Sequence, residues 1–169
     1  MQSDGTRWIP LPQAVYKLNY DAAVFEDSAS SGFGAVIRNS TGEVMAAMTV
    51  KGPTIRGSEV AELLACCKAL EFAVDVGFSV LIVEGDSVTT TRCIALGLNI
   101  QSAMGNVVGD IRHLLGALEW ASVSCTKRNG NRMAHVLARY AQNGNVDLFW
   151  MEEVPSVAVE YVNIDVSMI

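Results

Sequence analysis

Three acidic residues lie where their carboxylates could act together. Asp21 comes late in the strand-like run VYKLNYDAAV, which begins at Val15, and Asp86 directly follows the apolar run SVLIVEG. Glu62 lies within SEVAELLACCKAL, a stretch with helical periodicity. Carboxylates are the hard oxygen ligands that divalent cations prefer. Whether the three can share a cation depends on the elements that position them.

Glu62 is the unusual member of the set. At about 100° per residue, Lys68, Glu71 and Asp75 fall on one side of a helix predicted from about Ser58 to Val76. Glu62 points roughly 120 to 180° away from them. A carboxylate directed at a core costs several kcal/mol unless it is paired, protonated or bound to a cation. The residues that share its side of the helix are Ala65, Cys66, Ala69 and Ala73.

The elements around these acids predict a mixed α/β sheet. Three strand-like runs, beginning at Val15, Gly32 and Glu43, are joined by short links typical of an antiparallel meander. The helix of Glu62 follows, with Ser58 as a candidate N-cap and Gly77 as a candidate stop. The predicted order is βββαβα(α)βα, a five-stranded sheet with helices on both faces. After the helix of Glu62, the predicted strands are SVLIVEG and WASVSCTK, and the predicted helices are DSVTTTRCIALG, SAMGNVVGDIRHLLGAL and NGNRMAHVLARYAQN.

This order brings the three acids to one place. If the first and fourth strands are parallel neighbours, their carboxyl ends lie side by side, and Asp21 and Asp86 meet there. Glu62, early in the helix that leads into the fourth strand, can reach the same point. Three converging carboxylates repel each other unless a cation such as Mg²⁺ or Mn²⁺ lies between them.

Each acid also has an ordinary structural explanation. Asp86 could cap the helix that follows it, with Ser87 as the alternative cap. Asp21 could be a turn residue at the end of a strand. Glu62 could be an acid favoured by the dipole in the first turn of its helix.

Composition limits the class of protein. The chain has 169 residues, 50% of them apolar, and a net charge of −6. This length fits one domain with a substantial core. No apolar run reaches the length of a membrane span and no secretory signal is visible, so we expect an intracellular protein, nuclear or cytoplasmic. The four cysteines show no CxxC pairing and two of them are neighbours, which favours reduced thiols, and the presence of only two histidines argues against a zinc site.

The charge is unevenly distributed. We predict a linker over 1–14, a domain over 15–143, and an acidic tail over 144–169 that packs on the domain or extends from it. The body is nearly neutral and carries one basic cluster, formed by Lys127, Arg128, Arg132 and Arg139. The acids of the tail are Asp147, Glu152, Glu153, Glu160 and Asp165.

Five strings in one order carry a family resemblance: KLNYDAA, GFGAVIRNSTGEV, AELLACCKAL, VEGDS and GNRMAHVLAR. From about Trp8 to Asn143 the chain resembles ribonuclease H domains of type 1. It is most similar to the plant branch related to the ribonuclease H domains of non-LTR retrotransposons. The tail DLFWMEEVPSVAVEYVNID also resembles that branch.

The resemblance implies an endonuclease that cuts the RNA strand of an RNA–DNA hybrid with two Mg²⁺ ions, Mn²⁺ being the alternative. By position, Asp21 would be shared by both ions, and Glu62 and Asp86 would complete the site. The family usually has a fourth aspartate in the last helix, where this chain has His135. We therefore predict Asp21, Glu62, Asp86 and His135 as catalytic residues and metal ligands. The other interpretation of His135 is a helix residue with only a local hydrogen bond.

The nucleic-acid contacts follow from the same resemblance. The link GLNIQS lacks the basic protrusion of some relatives, so other residues would have to neutralise the phosphates of the nucleic acid. An ordinary solvated face is the alternative for the basic residues, and Asn131 could instead cap or position the last helix. The residues predicted to contact nucleic acid are Lys127, Arg128, Asn131, Arg132, Ser58 and Arg56.

Two other functions remain open from the sequence. The first is a weak or inactive domain that binds nucleic acid or a protein partner, which His135 and the missing protrusion would allow. The second is a different nuclease of the same superfold. The retained Asp21, Glu62 and Asp86 favour an enzyme.

Overall fold

The computed structural model describes residues 15–98 and 106–161. The predicted linker over 1–14 and part of the GLNIQS link lie outside the described residues. Within them, no helix combines the length and the apolar character needed to cross a membrane. The strands are β1 (Tyr16–Phe25), β2 (Ser30–Arg38), β3 (Val44–Gly52), β4 (Val80–Gly85), β5 (Trp120–Cys125) and β6 (Leu148–Met151). The helices are α1 (Ser58–Asp75), α2 (Val88–Leu96), α3 (Val107–Ala117) and α4 (Arg132–Tyr140), with 3₁₀ turns at Arg128–Gly130, Ala141–Asn143 and Ser156–Tyr161.

The predicted mixed α/β architecture is confirmed. The sheet has the order β5-β4-β1-β2-β3-β6, in which β1, β4 and β5 are parallel and the other neighbours are antiparallel. The described residues form six strands where five were expected. The additional strand β6 comes from the acidic tail and pairs with β3. Its four residues LFWM are all apolar, so no alternation distinguishes a strand there from other apolar segments.

Helices cover both faces of the sheet. On one face, α1, α2 and α3 bury the larger core, which includes Leu18, Tyr20, Leu63 and Leu81. On the other, α4 and the tail bury a smaller cluster around Val36, Met133 and Leu137.

Helix α4 lies directly on β2 because Gly34 has no side chain. A Cβ atom placed there would come within 2.3 Å of the carbonyl oxygen of Ala134. Because Gly34 pairs with Asp21 of β1, this close approach places the N-terminal part of α4 near Asp21.

Helix α1 begins one residue earlier than a cap at Ser58 would imply. Gly57, with φ of 92°, is the N-cap residue, and Ser58 is the first helical residue. The prediction that Ser58 caps α1 was wrong, because the chain enters the helix with a positive φ that favours glycine. The helix ends at Asp75, and Gly77 follows with φ of 96°.

Candidate functional site

The register of the parallel strands places Asp21 and Asp86 level with each other. Asn19 of β1 pairs with Glu84 of β4, and each aspartate comes two residues further along its strand direction. Asp21 is 3% exposed. The ligand atoms of Asp21, Glu62 and Asp86 all lie within 4.8 Å of one another. The structure therefore brings together the three acids that the sequence singled out.

Glu62 reaches this point from the first half of α1. Its Oε2 accepts a hydrogen bond from the backbone N–H of Ala22 at 3.3 Å. Its Oε1 is buried and meets no hydrogen-bond donor among the described residues. The pKa of Glu62 is raised to about 9, first by burial and then by the negative charge of Asp21. A hydrogen bond between the carboxyls of Glu62 and Asp21, which forms only when one of them is protonated, and the charge of Asp86 raise it further. A bound cation would remove this cost by neutralising the cluster.

Asp86 is not needed as a helix cap. The side chain of Ser87 accepts the hydrogen bond from Thr90 N–H at 3.1 Å and so caps α2. Burial and the neighbouring Asp21 raise the pKa of Asp86, while the positive charge of Arg128 opposes that shift. Of the two caps considered from the sequence, the structure has Ser87, which leaves the Asp86 carboxylate for the site.

His135 lies on α4 and contacts Asp21. Its Nδ1 is 2.8 Å from Asp21 Oδ2, and its side chain is 56% exposed. The hydrogen bond to Asp21 raises the pKa of His135. His135 is not among the three residues whose ligand atoms converge, and its Nδ1 hydrogen-bonds with one of them, Asp21. Its role as a metal ligand stays a prediction.

A cleft of about 470 Å³ surrounds the three acids. Of the residues predicted to contact nucleic acid, Ser58, Arg128 and Arg132 line it. Asn129 lines it as well and accepts a hydrogen bond from Arg132 at 3.1 Å. Sequence reasoning missed Asn129, and its place between the two arginines in the loop before α4 was the only signal that could have found it.

The other predicted contacts lie elsewhere. Lys127 is exposed on the same loop but does not line the cleft, and exposed Arg56 lines a separate depression beside the β1–β2 turn. Asn131 is 1% exposed and its amide is held by Asn19 and by the carbonyl of Tyr20. It therefore has no free surface for a nucleic acid, and the alternative interpretation, that it positions the last helix, fits its contacts.

Comparison with solved structures shows the same fold. The chain is similar to RNase H1 from the halophilic archaeon Halobacterium salinarum, with 22% identity, a TM-score of 0.67, and coverage of 76% of this chain and 98% of that chain. It is similar to the N-terminal RNase H domain of a Mycobacterium tuberculosis protein, with 19% identity, a TM-score of 0.65, and coverage of 76% and 94%. LC11-RNase H1, isolated from compost and solved in complex with an RNA/DNA hybrid, matches with 18% identity, a TM-score of 0.65, and coverage of 76% and 96%.

The sequence itself matches a family model over most of the described fold. Among curated protein sequences there is no significant match. The family model for reverse transcriptase-like proteins matches residues 19–141, a range that contains all three acids and His135. The chain therefore belongs to the reverse transcriptase-like family and has a ribonuclease H-like domain.

Proposed function

We propose that this chain is a metal-dependent endonuclease that hydrolyses the RNA strand of RNA–DNA hybrids. The observation that carries the proposal is the convergence of Asp21, Glu62 and Asp86 within 4.8 Å in an open cleft. The substrate class is supported by LC11-RNase H1, a protein of the same fold that was solved in complex with an RNA/DNA hybrid.

The donor set fits hard divalent cations. All three side chains offer carboxylate oxygens, and the buried Glu62 Oε1 has no donor from the described residues. Asp21, Glu62 and Asp86 would hold the cations, with Asp21 shared. Two Mg²⁺ or Mn²⁺ ions bound there would supply an activated water and a stabilised leaving oxygen.

The side chains around the acids have roles of their own. Arg128 and Arg132 line the cleft and would neutralise phosphates of the bound strand. Ser58 also lines the cleft, at the start of α1, and its hydroxyl would contact the backbone of the bound strand. Recognition would then depend on the 2′-hydroxyls and the shape of the hybrid, since these groups contact the backbone and not base edges.

A second candidate is a domain of reduced activity that chiefly binds nucleic acid. The observation that favours it is the hydrogen bond between His135 Nδ1 and Asp21 Oδ2, which engages one oxygen of the ligand that both cations would share. An aspartate at this position would bring a fourth oxygen ligand and no competing donor.

Cleavage of a labelled RNA–DNA hybrid, beside single-stranded RNA and duplex DNA, tests both candidates. We expect cleavage of the hybrid alone, with Mn²⁺ supporting a higher rate than Mg²⁺, and a larger gain with Mg²⁺ in His135→Asp. Hybrid binding without cleavage by the parent and by His135→Asp would favour the binding module. Cleavage of duplex DNA would instead indicate another nuclease activity of the same fold.

A further inference from the structure

A chain of buried polar side chains runs through the sheet toward the candidate site. It begins at Arg38 of β2 and passes through Asn19 of β1 to Asn131, directly before α4. Arg38 and Asn19 are fully buried, and Asn131 is 1% exposed. Arg38 Nη2 donates to Asn19 Oδ1 at 2.9 Å, and Asn19 Nδ2 donates to Asn131 Oδ1 at 3.1 Å.

Donor and acceptor chemistry gives this chain one direction. A guanidinium can only donate, so the Asn19 atom that faces Arg38 must be its oxygen. The Asn19 amide nitrogen then faces the carboxylate of Glu84, at 3.3 Å, as well as Asn131. Asn131 must receive that hydrogen bond on its oxygen, which turns its own nitrogen toward the carbonyl of Tyr20, at 2.9 Å. Neither amide can flip without placing two donors or two acceptors against each other.

Asn131 connects this chain to both partners of the His135–Asp21 contact. Its side chain holds the carbonyl of Tyr20, the residue before Asp21. Its backbone carbonyl accepts the N–H of His135 at 3.1 Å. One residue therefore ties the strand that carries Asp21 to the helical turn that carries His135, and the two side chains meet at 2.8 Å.

A buried charged group of this kind is an expensive way to stabilise a fold. An arginine in the interior loses its hydration, and apolar residues of similar size often serve stability as well or better. Buried polar groups can instead select one geometry over its alternatives. Here the geometry selected is that of the candidate site.

We propose that Asn19 is a positioning residue of the candidate active site. Its amide, oriented by Arg38 on one side and Glu84 on the other, holds Asn131 and thereby sets His135 against Asp21. This inference rests on the proposed nuclease function for its kinetic consequence, but its structural consequence is independent of activity.

The test compares Asn19→Leu with Thr49→Val. Leucine keeps the approximate size of Asn19 and removes its hydrogen bonds. Thr49→Val is the matched control, because Thr49 is a buried residue whose hydroxyl donates to the carbonyl of Leu137 and so ties the same helix to the sheet at another point. The first readout is the ¹⁵N chemical shift of His135 Nδ1 at one fixed pH, and the second is the kcat and KM of hybrid cleavage.

In Asn19→Leu we expect the His135 Nδ1 signal to move to the position of a solvent-exposed histidine, and kcat to change at least tenfold with little change in KM. Thr49→Val should keep the parent signal and kcat. In a His135→Ala background the effect of Asn19→Leu on kcat should shrink, because the two residues act through one contact. If Asn19→Leu does not fold, Asn19→Ser carries the same expectation.

An unchanged Nδ1 signal in the folded Asn19 variant would overturn the proposal. Equal changes in Asn19→Leu and Thr49→Val would also overturn it, since they would reflect general loosening of the helix. If the parent cleaves no hybrid but the Nδ1 signal moves as expected, the positioning role stands and the proposed function fails.

Discussion

Replacing Glu62 by glutamine should stabilise the metal-free protein while destroying the site. The ordinary pKa of the glutamate is 4.5, and in the folded protein the pKa is about 9. Between these values the unfolded chain releases a proton that the folded chain retains. Because the folded pKa is raised, the free energy of unfolding falls as pH rises through this window.

The size of the effect follows from the window. Since pH 7 lies about 2.5 pH units above the ordinary pKa, the free energy of unfolding is lowered there by about 3 kcal/mol, at roughly 1.4 kcal/mol per unit. Glutamine is neutral at every pH, and its oxygen can still accept the hydrogen bond of Ala22 N–H. Its amide can also donate to Asp21. We therefore expect Glu62→Gln to unfold about 6 to 10 °C higher than the parent at pH 7.

Thermal and urea unfolding between pH 4.5 and pH 8.5 in the presence of a chelator would measure this difference. It should be small at the acid end and grow with pH. Added Mg²⁺ or Mn²⁺ should stabilise the parent much more than the variant, because only the parent keeps the full charge of the cluster. Glu59→Gln is the matched control, an exposed acid in the first turn of the same helix, and should change stability by only a few tenths of a kcal/mol.

Two results would refute the reasoning. A Glu62→Gln protein less stable than the parent at pH 7 would mean that the buried carboxylate is not under strain. A stability difference independent of pH would mean that it arises from packing and not from ionisation.

Three further outcomes are expected. Asp21→Asn should lose hybrid cleavage in both Mg²⁺ and Mn²⁺ assays while remaining folded by circular dichroism; a cleavage rate equal to that of the parent would show that the site is wrong. The hydrogen bond to Asp21 raises the pKa of His135, so its stabilisation is present below about pH 6.5 and is lost as pH rises through the folded pKa. His135→Gln should therefore cost under about 1 kcal/mol in urea unfolding at pH 5.5 and less at pH 8.5, because the side chain is half exposed; an equal cost at both would contradict the assignment. Trp150→Ala should cost about 2 kcal/mol by opening the cluster between β6 and α4, whereas Met151→Ala, on the exposed side of the strand, should cost much less; equal costs would show that β6 does not cover that cluster.

Much of the site could be predicted from local signals. Asp86 stands at the end of an apolar strand, and Glu62 stands on the apolar side of a helix, so each was recognisable from a few neighbours. Their convergence with Asp21 followed from one assumption, that the first and fourth strands are parallel neighbours, and β1 and β4 do pair in this way. The choice between Asp86 and Ser87 as the cap of α2 was beyond such reasoning, because both residue types cap helices and only the backbone path decides between them.

The order of the elements and the identity of the three acids could be inferred from the sequence alone, because hydrophobic periodicity and position within an element are local properties. The contacts of Asn19, Arg38 and Asn131 could be found only in the folded structure, since Asn19 and Asn131 lie 112 residues apart and nothing near either one identifies its partner. The folded structure also shows that His135 contacts Asp21, 114 residues away, and that the tail adds a sixth strand to the sheet by pairing with β3. Such contacts depend on how the sheet edge and the helix ends meet in space, and the pattern of a single segment carries no information about that meeting.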